Sequence, residues 1–302
     1  MQISARGSAV FGAAALATVL LAALTGCSSG SDEGDRGSTL LSGLGALAGD
    51  TGEKHVSFLD AAEVRKLSKD DPKRFTSVSQ PSSLLLNPYQ PGLLGAQFEV
   101  SQIDTAVDTG EAGHWEGSFD VSAMTKALKS GGYAQSEEDG KDVWSHPEGS
   151  GATLQVSEDE ISYSARDSDP MSAVAPEEGS SLGDDEKFRR AVECLGNVYR
   201  ADFNPLSSPN PVRLAALGQQ AKSAAKNTEV LCFVVEDDVA AKKLEADLRV
   251  VVSDKSPKFD GTRVTVEKGD LPVVRAVVPD TATQRPGRLI VTDTELWMTA
   301  AG

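Results

Sequence analysis

The stretch TEVLCFVVE, residues 228–236, predicts a buried β-strand in the second half of the chain. Six consecutive apolar residues, 230–235, include three valines, whose β-branched side chains favour extended backbone. Cys232 lies among them. We expect this strand to belong to the core of an α+β domain.

Cys232 has one candidate partner for a disulfide, Cys194. The chain has three cysteines, and Cys27 is assigned to the N-terminal signal below. Thiols oxidise outside the cytoplasmic membrane, and an even remainder favours a pair. A Cys194–Cys232 bridge would stabilise the fold by roughly 4 kcal/mol in the chain-entropy model. Two buried free thiols are the alternative, since cysteine is often a small core residue.

The elements around this strand predict one domain over residues 183–302. A helix begins in DDEK, residues 184–187, where the helix dipole favours acids, and ends at Gly196. A second helix, VAAKKLEADLRVV, spans 239–251. With the strands between and after them, these elements predict a small antiparallel-rich sheet with helices packed on one face.

The first half predicts a similar domain over residues 55–168. Its helices are expected at 57–69 and 121–130, with strands after each. The Pro/Ser/acid-rich stretch 166–183 is typical of a connection between domains. We assign residues 169–182 as the linker.

The ends of the two halves match without a gap. LQVSEDEISYSA, residues 154–165, lies over LIVTDTELWMTA, residues 289–300. Both read as a strand, an acidic turn and a strand, and the halves share the predicted order α-β-β-α-β-β-β. We therefore predict a tandem duplication. Chance is the alternative, because two strands with an acidic turn are a common motif.

Few residues point to catalysis or metal binding. The three histidines show no HxH, HxxxH or HExxH spacing, and the chain has no GxxxxGKS motif. We predict no catalytic residue, no metal and no cofactor. Residues distant in sequence could still form a triad, because such partners meet only in the fold.

One candidate ligand site is an aromatic ledge formed by Trp115, Trp144 and His146. His146 follows Trp144 by two residues and would share its face of a strand. His114 precedes Trp115 at the start of another strand. The favoured alternative is that these rings pack a core.

The charge balance excludes nucleic acid as a partner. The chain has 45 acidic and 29 basic residues and a formal net charge of −16. Nucleic acid and anionic lipid headgroups both require basic patches. A solubilising surface explains the acids more simply than a role in cation binding.

The N-terminus predicts a secretory signal peptide over residues 1–26. Arg6 is the one charged residue before an uncharged run from Ala9 to Leu24. This order of basic head, apolar middle and small residues is typical of such signals. The run is about 16 residues, short of the roughly 20 that span a bilayer.

The following LTGC, residues 24–27, resembles the lipobox of bacterial lipoproteins. The resemblance implies cleavage between Gly26 and Cys27 and a diacylglyceryl group on the Cys27 sulfur. Two acyl chains suffice for stable anchoring, whereas one does not. The folded part resembles function-unassigned secreted lipoproteins of high-GC Gram-positive bacteria. A signal peptide with a chance cysteine, or an uncleaved signal anchor, is the alternative.

Residues 27–54 are rich in Gly, Ser and Asp and predict a flexible tether with a reach of about 30 Å. We therefore expect a non-enzymatic binding or protein-interaction module on the extracytoplasmic face of the cell membrane. Its partners would be the membrane, through the diacylglyceryl anchor, and an unknown envelope protein or small ligand. A solute-binding lipoprotein of a transporter and an envelope hydrolase are the alternatives.

The Cys27→Ala variant tests the anchor. We expect it to lose labelling by a fatty-acid probe and to leave the membrane fraction, because the alkylated sulfur is gone. Ser28→Ala is the matched control and should label normally. Undiminished labelling and membrane association of Cys27→Ala would contradict the lipobox.

Overall fold

The chain forms twelve strands and eight helices within the part that the computed structural model describes, residues 35–86, 99–138, 140–149 and 151–301. The strands are β1 Val56–Asp60, β2 Ile103–Thr109, β3 Ala112–Gly117, β4 Ala134–Glu138, β5 Lys141–Ser145, β6 Thr153–Val156, β7 Glu160–Ser164, β8 Arg200–Pro205, β9 Val212–Ser223, β10 Lys226–Val235, β11 Arg263–Glu267 and β12 Val273–Pro279. The helices are α1 Asp35–Gly45, α2 Ala61–Ser68, α3 Pro72–Phe75, α4 Val121–Ser130, α5 Glu186–Leu195, α6 Asp238–Asp254, α7 Arg288–Val291 and α8 Glu295–Ala301. The predicted signal peptide, Cys27 and the first part of the predicted tether lie outside the described residues.

All the strands belong to one antiparallel sheet, in the order β11-β12-β10-β9-β8-β1-β2-β3-β7-β6-β5-β4. The halves meet where β1 pairs with β8, from Val56 opposite Phe203 to Leu59 opposite Arg200. The described residues form one compact unit. The prediction of an α+β class is confirmed, but two separate domains are not.

The predicted linker, residues 169–182, packs against the rest of the chain. Ala173 and Leu182 are buried in the core, and the Ala48 amide donates to the Ala173 carbonyl at 2.9 Å. The Leu182 amide donates to the Leu47 carbonyl at the same distance. These contacts make the Pro/Ser/acid-rich stretch a loop that packs within the fold and not a linker between domains.

Helices cover both faces of the sheet, which corrects the prediction of one covered face. Helices α1 and α5 pack together on one face, and α2, α4, α6 and α8 pack on the other. The six apolar residues of β10 explain this arrangement. Alternate ones face α5 or α6, so the strand is buried on both sides, as a continuous apolar run requires.

The predicted tether, residues 27–54, is structured over its described part. Leu40, Leu44 and Leu47 lie at helical spacing and are fully buried against the sheet. Their burial outweighs the low helix propensity of the neighbouring glycines, because packing of an apolar face supplies most helical stability in proteins. The folded part therefore begins well before residue 55.

The two halves share one topology. Each runs α-β-β-β-α-β-β and places its strands alike, as β1-β2-β3-β7-β6 and as β8-β9-β10-β12-β11. The first half adds α2, α3 and the β4–β5 hairpin. By position in the sheet, the counterpart of residues 154–165 is the β11–β12 pair.

Residues 289–300, which we predicted to be two strands, form most of α7 and α8. Leu296 and Ala300 of α8 are buried four residues apart, as on one face of a helix, and Leu289 of α7 is buried as well. The sequence similarity between residues 154–165 and 289–300 therefore does not correspond to a similar structure.

The predicted disulfide is confirmed. Cys194 of α5 is bonded to Cys232 of β10, with their Cα atoms 6.1 Å apart. Both cysteines are buried in the core on the α1–α5 face. The bond fastens α5 to the sheet.

Candidate functional site

The tryptophans of the predicted ledge are core residues. Trp115 and Trp144 are 0% and 1% exposed, so neither offers a ring surface to a ligand. The Trp115 indole donates to Asp108 at 2.8 Å. His146 lies edge-on to Tyr133, with ring centroids 5.5 Å apart. The ledge is therefore corrected to a set of packing contacts.

The three histidines lie apart from one another. His55 is half-exposed and lies 3.4 Å from an oxygen of Asp202. His114 contacts the hydroxyl of Ser162 at 2.9 Å, and burial lowers its pKa. No three His, Cys, Asp or Glu side chains of the described residues are grouped to hold a metal ion.

The paired strands β1 and β8, where the halves meet, form a seam. A row of buried polar side chains crosses it. Asp108 of β2, Ser57 of β1 and Asp202 of β8 lie opposite one another in register, on the same face of the sheet. Arg200 donates to both oxygens of Asp202, at 2.9 and 3.1 Å. Burial alone would raise the pKa of Asp202, but the charge and hydrogen bonds of Arg200, together with the contact of His55, outweigh burial and the pKa falls to about 2.

Arg200 also holds the loop that follows α3. Its guanidinium donates to the Gln80 carbonyl and to the Ser82 hydroxyl, both at 3.0 Å. The next residue, Ser83, shares a hydrogen bond of 2.7 Å with the Tyr163 hydroxyl. A buried residue of the second half therefore fixes a loop of the first.

Asp108 is the least satisfied member of this polar row. Tyr163 and Trp115 both donate to its Oδ1, whereas Oδ2 has no hydrogen-bond partner among the described residues. Burial raises the pKa of Asp108 to about 6, although the two donors lower it. A Cβ on Gly113 would lie 2.5 Å from both Asp108 and the Tyr163 ring. A glycine is needed there for the tyrosine to reach the carboxyl.

A second buried carboxyl, Glu229 of β10, anchors α7. It accepts from Gln219 at 2.9 Å and from the backbone amides of Arg288 and Leu289. Burial, and then the nearby charge of Asp280, raise its pKa to about 7. Because Asp108 and Glu229 are both enclosed, they can bind protons but present no surface to a larger ligand.

A groove on the second half offers such a surface. It lies between α6, the β8–β9 turn and the end of α8, and encloses about 620 Å³. This volume falls within the usual range for small-molecule sites. Most of its lining is apolar: Leu206, Pro209, Pro211, Val212, Val235, Ala240, Leu244 and Ala300.

The polar residues of the groove are mostly engaged in holding its walls. Asn210 accepts from the Val212 amide at 2.9 Å and donates to the Ala300 carbonyl at 3.0 Å. The Thr299 hydroxyl donates within α8. At the rim, Lys243 and Asp247 of α6 form an ion pair at 2.6 Å. The groove therefore presents a mostly apolar lining, the exposed side chain of Ser207 and one pair of opposite charges.

Sequence reasoning missed this groove. Its lining comes from four separate segments, and the sequence signal at the site is only the turn-forming stretch PLSSPNP, residues 205–211. The apolar face of α6 predicts only that this helix packs against the core, and it gives no sign of a ligand site. The site exists only once the fold has brought the segments together.

Comparison of the chain with protein-family models, with curated proteins and with solved structures gives no significant match. Within the described ranges, no helix has the length and apolar composition needed to cross a membrane.

The Asp108→Asn variant tests the cost of the buried carboxyl. Its ordinary pKa of 3.8 rises to about 6 on folding, so the folded state binds this proton more tightly. The protonated carboxyl therefore contributes favourably to the free energy of unfolding below pH 4, and this contribution is lost as the pH rises through 6. We expect Asn to raise the free energy of unfolding above pH 7 by up to about 3 kcal/mol, and little at pH 4.

Chemical denaturation of both proteins between pH 4 and pH 8 measures this difference. Glu229 is present in both proteins, so its own titration cancels. Asp142→Asn, at an exposed position, is the control and should show no such pH dependence. A difference for Asp108→Asn that stays constant across the range would contradict the assignment.

Proposed function

We propose that the protein is a lipid-anchored, non-catalytic binding module of the bacterial cell envelope, and that the α6 groove is its ligand site. The signal-like N-terminus and LTGC support the anchor. The Cys194–Cys232 bond supports an oxidising compartment, because disulfides persist outside the cytoplasm. The acidic charge supports a partner other than nucleic acid.

The observation that carries the binding role is the apolar lining of the groove. Val212, Val235 and Leu244 at its base belong to the core between β9, β10 and α6 and are almost fully buried, so the base is braced by the fold. The apolar surface that opens to solvent comes from Leu206, Pro209, Pro211 and Ala240. An apolar surface of this kind that opens to solvent favours a ligand that covers it. Its polar residues hold the walls and do not form a reacting set.

We infer that the shared topology of the halves arose by tandem duplication of an α-β-β-β-α-β-β unit. The identical placement of five strands in each half supports this origin. Additions then distinguish the halves: the β4–β5 hairpin in the first, and α7 and α8 in the second. The groove depends on α8, so we assign the ligand site to the second half alone.

The transporter alternative has less support. Two-lobed solute-binding proteins close about a hinge, whereas here β1 and β8 continue one sheet across both halves. The hydrolase alternative also lacks a clear site. Ser162, the serine hydroxyl beside His114, is buried, so this pair is closed to a substrate.

The Ala240→Trp variant tests the groove as a ligand site. Ala240 lines the groove, and an indole there should occupy much of its volume. Fluorescence titration with the neutral apolar probe N-phenyl-1-naphthylamine measures binding. We expect wild type to bind and Ala240→Trp to lose at least tenfold in affinity.

Ala246→Trp is the matched control, because Ala246 is an exposed residue of α6 outside the groove lining. It should bind the probe as wild type does. Equal binding by Ala240→Trp and wild type, or no binding by wild type, would contradict the proposed function.

A further inference from the structure

We propose that the groove binds a single-chain amphiphile with a zwitterionic phosphate–ammonium head, of the lysophosphatidylethanolamine kind. This inference rests on the proposed function and names its ligand class. The lining, the rim charges and the exposed side chains around the mouth each support one part of it.

The lining selects an apolar chain. The apolar lining residues that face solvent, Leu206, Pro209, Pro211 and Ala240, offer aliphatic groups alone, and the side chain of Asn210 is already committed to its two backbone partners. A sugar or amino acid would lose its hydration there and find few hydrogen-bond partners in the mostly apolar lining, which disfavours it. A hydrocarbon chain loses no hydrogen bonds on entering the same space. Each methylene that it buries should tighten binding by about fourfold.

The rim selects the head. Lys243 and Asp247 are 77% and 43% exposed, and they place a cation and an anion side by side at the edge of the apolar lining. A phosphate can lie against Lys243 while an ammonium lies against Asp247. A purely anionic head would be repelled by Asp247 and by the net charge of −16. Charge complementarity therefore favours the zwitterion.

Exposed apolar side chains flank the rim. Val239 and Val250 of α6 lie four residues before and seven after Lys243, on the same helix face, and are 76% and 56% exposed. Met298, next to the lining residue Thr299, is also 56% exposed. These side chains extend the apolar surface outward from the groove. An amphiphile whose chain passes from the groove over this surface would cover them.

Displacement of N-phenyl-1-naphthylamine from the full chain tests the inference. The competitors are lysophosphatidylethanolamine, lysophosphatidylglycerol and monoacylglycerol, all with the same chain and below their micelle concentrations. We expect the zwitterion to bind about tenfold more tightly than either of the others, as a charge-assisted contact would give. Equal or tighter binding of the anionic lipid would overturn the proposal.

The Lys243→Ala/Asp247→Ala double variant tests the rim directly. It should bind monoacylglycerol as wild type does but lose the preference for lysophosphatidylethanolamine, because both complementary charges are gone. A preference that survives in this variant would overturn the assignment of the head to the rim. The variant changes two exposed positions, so it should fold, and its affinity for the apolar probe reports this.

The probe separates the two levels of the argument. If wild type binds the probe and Ala240→Trp does not, the groove is a ligand site, and a missing zwitterion preference refutes only the head. If Ala240→Trp binds the probe as well as wild type does, the proposed function and the ligand class both fail.

Discussion

The pairing of β1 with β8 is the contact on which the architecture depends. Each half has a sheet of its own that would end at one of these strands, leaving an open edge with unpaired backbone groups. Joined in register from Val56 opposite Phe203, they make one sheet of twelve strands. Helices α1 and α5 then share one core beneath the seam, with Phe58, Phe188 and Phe203 buried within it. This joint takes the place of the domain boundary that we predict from the composition of residues 166–183.

The same seam carries buried charge. Arg200 and Asp202 neutralise each other and hold the loop after α3, while Asp108, two strands away, is left with one oxygen unpartnered in the described structure. Burying a carboxyl in this way costs stability whenever it is ionised. Such polar contacts fix how the halves fit together more strongly than apolar packing alone, since a shifted register would leave further charges unpaired. The candidate groove lies on α6 and on the turn that follows β8, one of the two paired strands at the seam.

Much of the local structure could be predicted from sequence. The six apolar residues of β10, the Asp120-capped helix α4 and the disulfide follow from patterns within one segment or from cysteine number. The sequence-based predictions are wrong where tertiary packing decides the secondary structure. The spacing of Phe58 with the apolar residues after it predicts a helix from Ser57, yet residues 57–59 pair on both sides as part of β1. The groove could not be predicted, because its walls come together only through the fold.

Native-state hydrogen exchange of the backbone amides in β1 and β8 tests most directly whether the halves form one unit. If the seam opens only when the whole molecule unfolds, these amides should exchange with the same free energy of opening as the buried amides of β10. The same denaturant dependence should apply to both sets. Exchange of β1 and β8 through a lower-energy opening that leaves β10 and β3 fully protected would show two independent domains and contradict the account.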